Sequence, residues 1–295
     1  MIRSTTFFLL LAYSLITSGP ASAQSSIESA APIEEDSRIE KQVVYLDAET
    51  TTWRSRGRVS FGIIPSLKTK LTAAGFAVSQ DPERPHDMTL IVRYHEKRGR
   101  QISLNLYGTD IHCAMTLEHS RKGRMLDLTI DEAPDYAELI TAPYIEVVDK
   151  FQANPYFHFL GELIRDRLDL SRDSIESLIT ALNREMYPAI PVAVTPLDTL
   201  VSPAETFPNL DDHFSSIAWE RAIDELGRVK DPRAVELLLK SASHPDHRVR
   251  LHAVLALEGF TSPSVVSTMT RVAQSDTDVS VRNAAKAVLA RLANR

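Results

Sequence analysis

The chain is poor in cysteine. The single thiol at Cys113 excludes an intrachain disulfide and a four-cysteine zinc site. Its ten glycines form no Walker loop and no dinucleotide fingerprint, and there is no Gly-x-Ser-x-Gly elbow and no Cys-x-x-Cys pair. Beyond residue 23 no apolar run reaches the ~18 residues that cross a bilayer, so no transmembrane span is expected. A strong basic field is missing too: the formal net charge is −6, and nucleic acid is not an expected partner. Hydrophobic content is ordinary at 43%, which excludes wholesale disorder and a collagen-like chain.

What is present begins with an export signature. Arg3 supplies a positive start, Phe7 to Ile16 a short apolar core, and Ala21-Ser22-Ala23 a small-residue cleavage site. Residues 1–23 therefore read as a signal peptide, and the mature protein is expected to be periplasmic or secreted. No cysteine follows the cleavage site, so no lipoprotein anchor is expected. Without the leader, 272 of the 295 residues remain, enough for about two domains.

Charge is unevenly spread. Residues 24–130 carry 15 basic and 14 acidic side chains, residues 131–212 carry 5 and 16, and residues 213–295 carry 12 and 9. Residues 24–40 are polar and acidic and read as a flexible tether. Residues 41–130 read as a small α+β domain. Its strands are expected at Gln42–Leu46, Phe76–Val78, Met88–Tyr94, Ile111–His119 and Met125–Ile130, with a helix from Pro65 to a terminating Gly75. Ile111, Cys113, Met115 and Leu117 alternate onto one face. Residues 131–187 read as an acidic helical segment, with a capping-box variant at Asp173–Glu176. Five prolines from Pro188 to Pro208 mark residues 188–212 as a linker. The element order of 41–130 resembles that of small sheet-and-helix domains of periplasmic proteins and lipoproteins.

Residues 213–295 repeat at a spacing of 31–32 residues. Ala222, Leu226 and Val229 match Ala253, Leu257 and Phe260, then Ala285, Leu289 and Leu292, each set on one helical face. Asp231-Pro232 matches Ser262-Pro263, a cap residue followed by proline at the first helical position. Val235, Leu238 and Ala242 then match Val266, Met269 and Ala273. The phrase Asp-x-x-Val-Arg occurs at 246–250 and 278–282. In these residues the sequence resembles short HEAT repeats of the phycobilisome-lyase-like type. The resemblance implies an α-α repeat stack in which Asp246, Arg250, Asp278 and Arg282 link adjacent units. The first unit carries Trp219 in place of the arginine and is expected to cap the stack.

Candidate chemistry is sparse. Cys113 lies on an apolar strand face and reads as a core residue. His244, His247 and His252 gather around one turn, but their spacing lacks the i, i+4 pattern of a helical zinc motif, so they read as solvated and no metal is expected. The sole His-Glu pair is His95-Glu96. Carboxylates of 131–212 read as a solvated helical face without acid/base spacing. Arg54–Arg58, Lys97–Arg100 and Arg121–Arg124 form basic turns that, if the last two share one edge of the sheet, offer a peripheral envelope contact.

The expected fold is thus α+β followed by an α-α repeat stack. The expected function is that of an exported, non-enzymatic scaffold that binds a protein through the repeats, with no catalytic residue and no cofactor. The alternative is a periplasmic ligand-binding or enzymatic protein, with its pocket between the α+β domain and the acidic helices.

Overall fold

A computed structural model describes residues 41–54, 61–137, 142–188 and 210–294, without the side chains of 210–214. The leader, the tether and most of the proline-rich linker lie outside the described residues.

The alternating strands assemble into one five-stranded sheet. Its strands are β1 (Val43–Thr52), β2 (Ala77–Ser79), β3 (Met88–Ser103), β4 (Leu106–His119) and β5 (Gly123–Glu132), in the order β2-β1-β3-β4-β5. β1 runs parallel to both β2 and β3, while β3–β4 and β4–β5 are antiparallel hairpins. Helix α1 (Ile63–Ala73) makes the crossover between β1 and β2. Its end follows the expected chemistry. Gly75 takes a φ of +97°, and the Phe76 amide donates back to the Leu71 carbonyl across the turn.

Among the described residues, helices cover one face of the sheet. After β5 come α2 (Pro143–Gln152), the single turn α3 (Pro155–His158), α4 (Leu160–Asp169) and α5 (Ser174–Met186). Ile111, Cys113, Met115 and Leu117 point beneath them and are buried, so the alternation read in β4 has the expected consequence. Burial pushes the Cys113 thiol up to about 12, an inert state for a core thiol. Phe61, Tyr94, Phe151 and Phe157 form an aromatic knot between sheet and helices, with Phe151 and Phe157 centroids 4.5 Å apart. Gly161 lets α4 lie on α1, because a β-carbon there would meet the Lys70 carbonyl and the Ala74 methyl. The acidic segment thus shares the core of the sheet.

Among the described residues, the opposite face of the sheet carries no helix and is lined by polar side chains of alternate residues. Its strands also run longer than their apolar cores, because the β3–β4 arm continues past the buried region. That length separates the two basic turns. Lys97 pairs with Asp110 and Arg124 with Glu118, eight residues apart along β4, or about 27 Å. They lie at opposite ends of the strands, so the expected common cationic rim does not form. Arg98 instead stacks on Tyr107, and Lys122 donates to the Leu168 carbonyl at the end of α4.

The remaining helices are α6 (Leu210–Val229), α7 (Val235–Ser241), α8 (His247–Ala256), α9 (Pro263–Ser275) and α10 (Val279–Ala293). Residues 41–295 form one compact unit. α6, α8 and α10 make one layer, with α7 and α9 on its other side. Residues 210–212, read as linker, already belong to α6.

Candidate functional site

Each repeat is built from the same local chemistry. Ala222, Leu226, Ala253, Leu257 and Ala285 are buried between helices, as their spacing requires. Gly227 brings α6 against α8, since a β-carbon there would overlap the Ala256 backbone. Two positions depart from the pattern. Val229 is exposed at the end of α6, and Val266 is 42% exposed on α9 while its neighbour Val265 is buried. The second-row register is therefore Ala234, Leu238 and Ala242 matched to Val265, Met269 and Ala273. The first unit opens with a 3-10 turn, Pro232–Ala234, where the other has a regular helix start.

The repeated Asp-x-x-Val-Arg residues do two different jobs. Asp246 caps α8 by accepting from the Arg248 amide, and Asp278 caps α10 by accepting from Ser280 and Val281. Each carboxylate stays with its own helix. Arg250 crosses the repeat boundary: its Nε and Nη2 donate to Asp276 at 2.9 Å each, while Nη1 donates to the His244 and Pro245 carbonyls. Arg282 closes the corresponding turn, donating to the carbonyls of Asp276 and Thr277. The anion of the bridge is Asp276, a residue that the repeat phrase omits. Burial works against its charge, yet the guanidinium of Arg250 holds it below the usual carboxylate range.

The first unit uses different side chains in the same places. Trp219 stands where the second unit has Arg250, and His244 stands where it has Asp276. Their rings meet edge to face with centroids 6.0 Å apart, and Tyr187 packs on the other side of His244 at 5.8 Å. An aromatic contact replaces the ion pair, and burial lowers the His244 pKa.

The three turn histidines do not converge. His244 lies between rings, and His247 is exposed beside Asp246. His252 faces α6, with Nδ1 2.8 Å from Asp224 and Nε2 3.7 Å from Glu220. The hydrogen bond with Asp224 raises its pKa despite partial burial. Among the described residues no group of three or more histidine, cysteine or carboxylate side chains is arranged to hold a metal.

The acidic segment is not simply a solvated face, because the first repeat docks on it. Arg233 reaches Asp173 at 2.8 Å and Glu176 at 3.5 Å, and Arg221 pairs with Glu132 at the end of β5. Tyr156 donates to Glu225 at 2.9 Å, and Lys240 donates to Asn183 while its ammonium sits over the Tyr187 ring. The partners lie 57 to 89 residues apart in sequence, so no local pattern marks them. α6 and α7 are thereby engaged on one side. The outer surface of α9, with Val266, Thr270 and Arg271, stays exposed.

Residues 207–290 match the HEAT-repeat family. No curated protein and no solved structure matches the chain. The C-terminal region is a HEAT-repeat region, and the chain is an α+β fold with helices and HEAT repeats after the sheet. Among the described residues no helix is long and apolar enough to cross a membrane.

A cavity on the sheet domain lies away from the HEAT repeats. It measures about 530 Å³, between the end of β1, the β3–β4 arm and the start of α2, and Trp53, Arg54, Tyr107 and Tyr144 line it. Behind it sits Glu96, whose side chain is fully buried. Thr52 and Tyr144 each donate to its carboxylate at 2.7 Å, Tyr94 donates at 3.1 Å, and Arg54 pairs with it at 3.4 Å. Both oxygens are taken by donors, so Glu96 is a structural anion rather than a poised base. His95 cannot join it, because neighbouring strand residues point to opposite faces. Burial and the bond to Glu96 push the Tyr144 hydroxyl up to about 12.

Proposed function

We propose that the chain is an exported, non-enzymatic scaffold that binds a protein partner through its HEAT repeats. The observation that carries this reading is the asymmetric engagement of the stack. Its first unit is tied to the acidic helices by Arg221, Arg233, Tyr156 and Lys240, whereas the outer surface of α9 stays open. HEAT stacks commonly present such surfaces to other proteins. Arg250 acts as the repeat-linking side chain in this reading, supported by Asp246, Asp278 and Arg282. The Asp-x-x-Val-Arg phrase supports repeats of the phycobilisome-lyase-like type, and the reading involves no bilin or other cofactor. Cleavage after Ala23 delivers the protein to the periplasm or the exterior, and N-terminal sequencing of the exported protein should begin at Gln24.

The test is site-specific photocrosslinking in the native compartment. A photoreactive side chain at position 266 or 270 should yield the same discrete adduct, and one at Glu49 on the open sheet face should not. Absence of that adduct from both α9 positions, or its equal appearance from position 49, overturns the reading.

A second reading rests on the cavity beside Glu96, whose aromatic walls and two arginines, Arg54 and Arg98, suit a flat apolar ligand with an anionic group. Quenching of Trp53 by an aromatic carboxylate, abolished by Tyr107→Ala, would support it. Unquenched emission at millimolar ligand would remove it.

A further inference from the structure

The open face of the sheet holds a row of four side chains that none of the preceding functions uses. Thr51 of β1, His95 of β3, His112 of β4 and Asp131 of β5 are direct register partners across four adjacent strands. The two imidazoles face one another, with centroids 6.2 Å apart and planes 10° from parallel. Each is fixed from its outer side. Thr51 Oγ1 lies 2.7 Å from His95 Nδ1, and Asp131 Oδ1 lies 2.6 Å from His112 Nδ1. Neither Nε2 has a hydrogen-bond partner among the described residues.

The geometry points to a two-histidine chelate for a divalent transition cation of the zinc or copper class, bound by Nε2 of His95 and His112. Directly opposed residues on antiparallel strands place their β-carbons about 5 Å apart, which suits two imidazoles sharing one ion. Imidazole nitrogen favours these metals over magnesium or calcium. Asp131 sets the useful tautomer. It accepts the Nδ1 proton of His112, leaving a lone pair on Nε2, and orients the ring as a carboxylate behind a metal-bound histidine does. Thr51 does the same for His95 when its oxygen accepts from Nδ1–H. Zinc would take each Nε2 at about 2.1 Å, with water completing the tetrahedron. Neighbouring charges on this face are balanced. Arg93 is held by Asp47 and Glu49, and Lys97 lies opposite Asp110.

Isothermal titration of the tag-free chain with Zn²⁺ tests the site. One ion per chain is expected at this position. Either His95→Gln or His112→Gln should weaken that event by about 100-fold, because a chelate loses its cooperative gain when one arm goes. Asp131→Asn should weaken it by about tenfold. His86→Gln and His119→Gln, elsewhere on the sheet domain, should leave it unchanged. Nitrogen-detected NMR of the unsubstituted chain gives an independent readout, in which Zn²⁺ shifts the Nε2 resonances of His95 and His112. Wild-type affinity in the single variants, or unmoved Nε2 resonances at saturating Zn²⁺, overturns the proposal.

Discussion

The Arg250–Asp276 pair crosses a repeat boundary, and both side chains are largely buried. Removing one member of such a pair leaves the other charge desolvated, so Asp276→Ala should cost about 3 kcal/mol in chemical denaturation. The lowered pKa of Asp276 gives the sign with pH. Its contribution is present above the ordinary aspartate range and disappears as pH falls through the lower folded value. A second single-residue lock sits on the β3–β4 arm. Tyr136 lies over Gly99 and Gly108, donates to Asp110 at 2.7 Å and accepts from the Arg100 amide at 3.1 Å. A methyl group at either glycine would occupy the place of the Tyr136 hydroxyl. Gly108→Ala should therefore lower stability by about 1–3 kcal/mol, more than Tyr136→Phe, in thermal melts of the two variants. The capping aspartates were legible because a cap is a local event within three residues. Asp276 was not, since its partner is 26 residues upstream and its counterpart in the first unit is a histidine.

Among the elements, α6 and α8 are joined by both packing and charge. Gly227→Ala would drive a methyl into Ala256 and should cost about 1–3 kcal/mol. Across the same seam, the raised pKa of His252 stabilises the folded state fully below the ordinary histidine range. That contribution is lost as pH rises through the folded value. The lowered pKa of His244 acts in the opposite sense, so the difference between wild type and His252→Gln is the informative quantity. That difference in melting temperature should be larger at pH 6 than at pH 8. Helix and strand placement followed from periodicity, because alternation and the 3-4 spacing each report a single buried face. The register of the second-row helices did not. Adjacent apolar residues at the start of each second-row helix, Ala234-Val235 and Val265-Val266, fit the spacing almost equally well, and it is the first of each pair that is buried.

For the whole molecule, the sheet, the acidic helices and the repeats share a continuous set of buried side chains. A deletion of 213–295 would strip Tyr156 and Asp173 of their partners, so surface substitutions are the cleaner probe of repeat function. The charge profile along the sequence correctly divided an acidic middle from a basic end. It left open that these charges meet one another, because sequence order carries no record of contacts 57 to 89 residues apart.

The exchange of Trp219 and His244 for the arginine and aspartate of the next unit gives the array a direction of growth. A duplicated segment 246–277 brings its own guanidinium and its own acceptor, so each new boundary would be closed by the same bridge. A duplicate of the first unit would instead carry a second set of docking side chains, matching Arg221, Glu225 and Arg233, with no helices to receive them. The array can be lengthened from its far end but not from its root, without disturbing the sheet.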